Sequence, residues 1–152
     1  MMIFKPFFYL FILFATLVQA KEYKAVFDCN SGDGGYLVSR MFLIERTIDM
    51  IQKDGNSVVF ALTVHGSCAP IVSKNIDEVI FDDDKLALFE KARKQLTHLI
   101  EVKNVEVIVC AMSLNAKNIP KEDVLKNIKI SKNSYIDTIA YQNDGYALMV
   151  FE

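Results

Sequence analysis

The residues of this 152-residue chain that are suited to nucleophilic chemistry sit at the ends of its apolar runs. VEVIVC (105–110) closes on Cys110, SVVFALTVH (57–65) closes on His65, YKAVFD (23–28) runs into Cys29, and Cys68 follows His65 by three residues. A thiolate is the reactive form of cysteine, and a neighbouring cation or helix N-terminus favours it. Protonated His65 could supply that charge, as could Lys117 seven residues beyond Cys110. Each residue also has a structural reading. A buried cysteine behaves as a small hydrophobe, and His65 fits a hydrogen-bonded core histidine. Cys29 and Cys68 fit a disulfide or partly buried thiols. Cys110 and His65 are the candidate catalytic residues, and Cys29 and Cys68 are accessory thiols.

Other chemistries find less support. The three cysteines form no C-x-x-C, so a thioredoxin-type pair and the common zinc-finger spacings are absent. An odd count leaves two states open: one disulfide with one free thiol, or three free thiols. Ser31-Gly32-Asp33-Gly34-Gly35 resembles a phosphate cradle, but Leu37 stands where G-x-G-x-x-G needs its third glycine, and a tight turn explains the loop. Asp82-Asp83-Asp84 reads as a helix cap rather than a metal site. No G-x-S-x-G nucleophile elbow occurs. His98 falls off the apolar stripe of its helix and reads as solvated. No cofactor is implied.

The elements that must position these residues alternate. Leu37, Met41, Ile44, Ile48 and Ile51 recur at helical spacing over Tyr36–Asp54, and Phe89, Leu96 and Ile100 do so over Lys85–Lys103. Strands are predicted at Tyr23–Asp28, Ser57–His65, Val105–Cys110, Ile128–Ile130 and Tyr146–Phe151. The near-continuous apolar run at Ser57–His65 fits a strand covered on both faces. Between them lie an apolar-rich loop (66–81), a short helix from Pro120 to about Lys126, and a last helix capped by Ser131 or Asn133 and running through Gln142. The order βαβαβαβαβ predicts one doubly wound α/β domain, with a mostly parallel five-stranded sheet and helices on both faces. Ligands of such sheets bind beyond the carboxyl ends of the strands, where the three thiols and His65 fall.

Residues 1–20 carry one positive charge at Lys5, the apolar run FFYLFILFATLV and a small-residue Val18-Gln19-Ala20 end. That pattern predicts a cleaved secretory signal, a domain spanning 21–152, and a periplasmic or secreted protein with no stable membrane insertion after cleavage. Removing Lys5 from 17 Lys+Arg leaves 16 against 19 Asp+Glu, a net charge of −3. Interspersed charges of that balance disfavour nucleic acid as a partner.

Four stretches, VFDCNSGDGG, VVFALTVHG, VEVIVCAMSLNAKNI and YIDTIAYQNDGYALMVF, together resemble the DsrE/DsrF-like sulfur-relay family over about Tyr23 to Glu152. The third is the most telling: a valine-rich strand, a cysteine, a short apolar turn and an asparagine exit. The resemblance implies that Cys110 takes sulfur as a persulfide and passes it on. It implies a protein or small sulfur compound as donor or acceptor, and trimers or hexamers of like subunits. His65-Gly66 matches a His-Gly of the single-subunit branch. Relay members are cytoplasmic and do not need Cys29 or Cys68, so this chain is expected to belong to an exported variant. A sulfur carrier, a non-catalytic binding or assembly module with a strand-end cleft, and a thiol redox protein are the three functional expectations.

Overall fold

The computed structural model describes residues 20–151, so the expected signal segment lies outside the described residues, apart from Ala20. Strands β1 (Glu22–Cys29), β2 (Ser57–Val64), β3 (Glu106–Cys110), β4 (Ile128–Ser131) and β5 (Ala147–Phe151) form one sheet in the order β4-β3-β2-β1-β5. Every pairing in it is parallel. Helices α1 (Gly34–Lys53), α2 (Asp83–Glu101), α3 (Ala111–Ala116) and α4 (Ser134–Asn143) connect the strands. The α/β sheet expected from the sequence is present.

The helices start where short polar side chains can satisfy their free N–H groups. Asp33 accepts from Tyr36 N–H at 2.9 Å, Asp82 from Lys85 N–H at 2.8 Å, and Asn133 from Tyr135 N–H at 3.0 Å. The glycines ahead of α1 serve packing as well as turning. A Cβ on Gly34 would lie 2.6 Å from Leu88 Cβ, so its absence lets α1 approach α2.

Strand parity divides the core. Phe27, Cys29, Leu62, Val64, Val107 and Val109 belong to one buried cluster with Leu37, Met41, Ile44 and Ile48 of α1 and Phe89, Ala92, Leu96 and Leu99 of α2. The alternate residues Val26, Ala61, Thr63 and Cys110 are also buried, on the face that carries α4. The sheet order explains the division. The chain steps from β1 to β4 in one direction, then returns across the whole sheet to β5, and right-handed crossovers put those connections on opposite faces. The connection leaving β3 sends Leu114, Ile119 and Val124 into the α1/α2 cluster, while the one leaving β4 becomes α4. The two diverge at the carboxyl ends of β3 and β4, the position at which doubly wound sheets bind their ligands.

Three local expectations are revised. Pro120–Lys126 is one 3-10 turn, Lys121–Asp123, rather than a helix. Val124 bridges Ser73, and Leu125 N–H donates to Val72 O at 2.9 Å, so tertiary pairing captures this segment. The loop after β2 winds into 3-10 turns that bury Ile71, Val72, Ile76 and Ile80, whereas Phe81 is exposed. Helix α3, directly after Cys110, is not anticipated from the sequence. It is six residues long and has no side-chain cap to announce it.

Candidate functional site

Cys110 ends β3 and occupies the N-cap position of α3, where the connections leaving β3 and β4 diverge. Its neighbour in register is Ser131, the last residue of β4, which leads into α4. The thiol therefore lies between two helix starts. The backbone N–H groups of Ser113, Ser134 and Met112 and the Ser113 hydroxyl lie around the sulfur and favour its anionic form, though the thiol accepts no capping hydrogen bond from α3. Cys110 is only 5% exposed, and burial opposes ionisation, yet the donors outweigh it and hold the thiol below its ordinary range. Lys117 caps the far end of α3, seven residues and about 10 Å along the axis from Cys110.

A titratable pair stands at the ends of β2 and β1. His65 directly follows β2, and its Nε2 lies 2.9 Å from Asp28 Oδ1. Thr63 Oγ1 donates to the same carboxylate oxygen at 2.7 Å. The hydrogen bond to Asp28 raises the His65 pKa; burial opposes this, and the charges of Asp28 and Cys110 reinforce it. Burial would push Asp28 up, but the bonds from His65 and Thr63 prevail and leave it below the usual carboxylate range. A second connection joins the two strand ends. Gly66 N–H donates to Ser113 Oγ at 2.8 Å, which ties the end of β2 to the helix that Cys110 begins. Gly66 holds φ at +55°, which side-chain-bearing residues adopt with strain. The Tyr135 ring stands edge-on to His65 at 6.4 Å.

Cys29 and Cys68 do not join this group. They form a disulfide with Cα atoms 5.9 Å apart, so they are not free accessory thiols; Cys110 is the free cysteine. Although Cys29 shares the strand-end edge with Cys110, one step of β1 alternation turns it into the α1/α2 core while Asp28 turns toward the site. The disulfide ties the end of β1 to the turn following His65, and both its cysteines are fully buried. His98 lies apart from the site, 3.2 Å from Glu45 across the α1–α2 contact and partly exposed.

The Asp28 and Ser113 side chains and the Ser134 backbone N–H are the parts of this group that sequence reasoning passes over. A carboxylate closing an otherwise apolar strand was the available signal for Asp28. Nothing local marks either serine, because their role depends on α3 and α4 converging. The assembled group is one recessed thiol, the N–H and O–H groups around it and an imidazole–carboxylate pair. It can stabilise an anionic sulfur and exchange a proton beside it. Among the described residues no three His, Cys, Asp or Glu side chains converge to hold a metal ion.

A model of the DsrE/DsrF-like family matches residues 24–151. An uncharacterised protein of Aquifex aeolicus (strain VF5) is 32% identical over 144 residues, covering 95% of this chain and 63% of that protein. The chain thus spans less than two thirds of that relative's length. Among solved structures, MTH1491 of Methanobacterium thermoautotrophicum, a protein of unknown function, matches with a TM-score of 0.61 at 16% identity, covering 84% of this chain and 98% of that one. At that identity the likeness is one of fold. With the family match running from the first strand to the last, the chain belongs to the DsrE/DsrF-like family.

Proposed function

We propose that this protein is a sulfur carrier in which Cys110 takes up sulfane sulfur as a persulfide and hands it on. Membership of the DsrE/DsrF-like family supports a role related to sulfur relay. The observation that carries the finer reading is a single free, recessed thiol at the start of α3, joined to the strand end that carries the His65–Asp28 pair through the Gly66–Ser113 hydrogen bond. In the loading step the Cys110 thiolate attacks the outer sulfur of a donor persulfide. The donor S–S bond breaks, a new S–S bond forms on Cys110, and the donor leaves as a thiolate that takes up a proton. Sulfur moves with no net oxidation. His65, with Nε2 committed to Asp28, keeps Nδ1 for proton exchange, and its imidazolium form offsets the negative charge. Delivery is the same exchange with the acceptor thiolate as attacker.

The setting of the site supports assembly into a homo-oligomer, a trimer or hexamer. Helix α4 turns Ser134 toward the sheet while Tyr135, Ile136 and Ile139 are exposed, the reverse of ordinary amphipathic burial. Leu148 and Val150 of the edge strand β5 and Met112 beside the thiol are also exposed. This apolar surface equally favours a second reading, an assembly module without catalysis. The proposed location is periplasmic or secreted, after cleavage behind Ala20. The signal-like composition of residues 1–20 and the buried disulfide, a bond characteristic of oxidising compartments, support it.

Cyanide separates carrier from module, because it removes sulfane sulfur as thiocyanate and returns the thiol. Protein loaded with polysulfide and freed of donor should release thiocyanate in proportion to its Cys110 content, and Cys110→Ala should release none. Absence of thiocyanate from the wild type, or equal release from the variant, rules out the carrier reading. The mature N-terminus tests export, with Lys21 the residue expected.

A further inference from the structure

A groove lies on the sheet face opposite Cys110, where β5 extends the sheet past β1. Ala147, Met149 and Phe151 are in register with Ala25, Phe27 and Cys29, so they face the α1 side. The result is a trough of about 270 Å³ with Phe27, Phe60 and Met149 along the sheet and Leu43, Ile44 and Ile51 along α1. Leu43 is 51% and Met149 49% exposed, so the apolar walls face solvent.

The charges of the groove are asymmetric. No Asp or Glu lines it, and its two cations are Lys24 and Arg40. Lys24 is already engaged: its Nζ donates to Asp144 O at 2.6 Å and lies 4.6 Å over the Tyr146 ring. Arg40 is not. Its guanidinium stacks 4.4 Å over Tyr36, no carboxylate pairs with it among the described residues, and its buried Nε has no hydrogen-bond partner there. A buried donor on a charged group is costly to leave unmet. The planar guanidinium fork suits a carboxylate in particular.

We propose that this groove binds a free carboxylate with an unbranched aliphatic tail, the head paired with Arg40 and the tail laid between α1 and β5. Octanoate is the probe, a medium-length straight chain for a trough of about 270 Å³. The groove neither contains nor contacts Cys110, so the proposal stands apart from sulfur transfer.

Titration calorimetry of the purified protein with octanoate and with 1-octanol tests it. Octanoate should bind at least tenfold tighter than the alcohol. Arg40→Gln should abolish that preference while leaving octanol binding unchanged. Ala147→Trp, which fills the trough from an exposed position, should abolish binding of both and leave the far-ultraviolet circular dichroism and the loading of Cys110 intact. The proposal is overturned by equal affinity for acid and alcohol, or by a preference that survives Arg40→Gln. It is also overturned if octanoate fails to bind, as it would if a second copy or residues 1–20 already cover the groove.

Discussion

Replacing Asp28 by Asn keeps the shape of the β1 end and removes only the charge beneath His65. The pair is close, 2.9 Å, and its side chains are 14% and 20% exposed, so water screens it only in part. A hydrogen bond to a charged group contributes about 1.5–3 kcal/mol. Because one pH unit corresponds to about 1.4 kcal/mol, and Asn retains a neutral hydrogen bond, the His65 midpoint should fall by about one unit. Proton NMR of the two histidine rings measures this, with His98, on the α1–α2 contact, as internal control. The pH–rate profile of Cys110 alkylation by iodoacetamide should move to higher pH, since the thiolate loses its cation. The stability linkage has a definite sign. His65 is raised above 6.5, so its contribution is complete below 6.5 and is lost as pH rises through the folded value. Asp28 is lowered from 3.8, so its contribution is present above 3.8 and is lost as pH falls through its folded value. The stability gap between wild type and variant should therefore be widest between 3.8 and 6.5. A His65 midpoint that stays in place, or one that falls while the Cys110 profile does not move, would refute the coupling.

Three further substitutions probe the supports of the thiol. Ser113→Ala removes the hydroxyl that accepts from Gly66 N–H and favours the anionic sulfur; the alkylation midpoint should move to higher pH. Gly66→Ala forces a side chain into φ +55° and brings its Cβ within 1.9 Å of Asn30 Oδ1. Urea unfolding should show a loss of about 1–2 kcal/mol, and thiol reactivity should fall with it. Cys29→Ala with Cys68→Ala opens a cross-link spanning 39 residues; chain entropy sets the loss near 4 kcal/mol. Calorimetry should show the lower Tm, while folded variant protein still loads sulfur on Cys110.

The fold was legible because helical stripes and apolar runs report burial directly. Leu37, Met41, Ile44 and Ile48 are all buried as their spacing requires. The strand-end placement of Cys110 and His65 could be read from the same runs. The partners of these two residues could not, for reasons of geometry. Strand alternation separates Asp28 from Cys29 by one residue and by the whole thickness of the sheet, and a short apolar strand does not announce which side faces the site. The disulfide depends on Cys68 turning back within the 3-10 segment after His65. Pro120 and the acids behind it carry the signature of a helix start, but pairing of Val124 with Ser73 overrode local preference. The Ser134 N–H comes near Cys110 only because β3 and β4 end side by side and α4 starts just beyond β4.

The central claim is that the cradled thiol, and no other group, receives sulfur. Intact-protein mass spectrometry after brief exposure to a polysulfide donor, followed by peptide mapping without reductant, tests it most directly. The wild type should gain a single sulfur atom, mapped to the peptide containing Cys110, with the Cys29–Cys68 bond intact and no gain in Cys110→Ala. A wild type that gains nothing, or sulfur that maps to Cys29 or Cys68, contradicts the account.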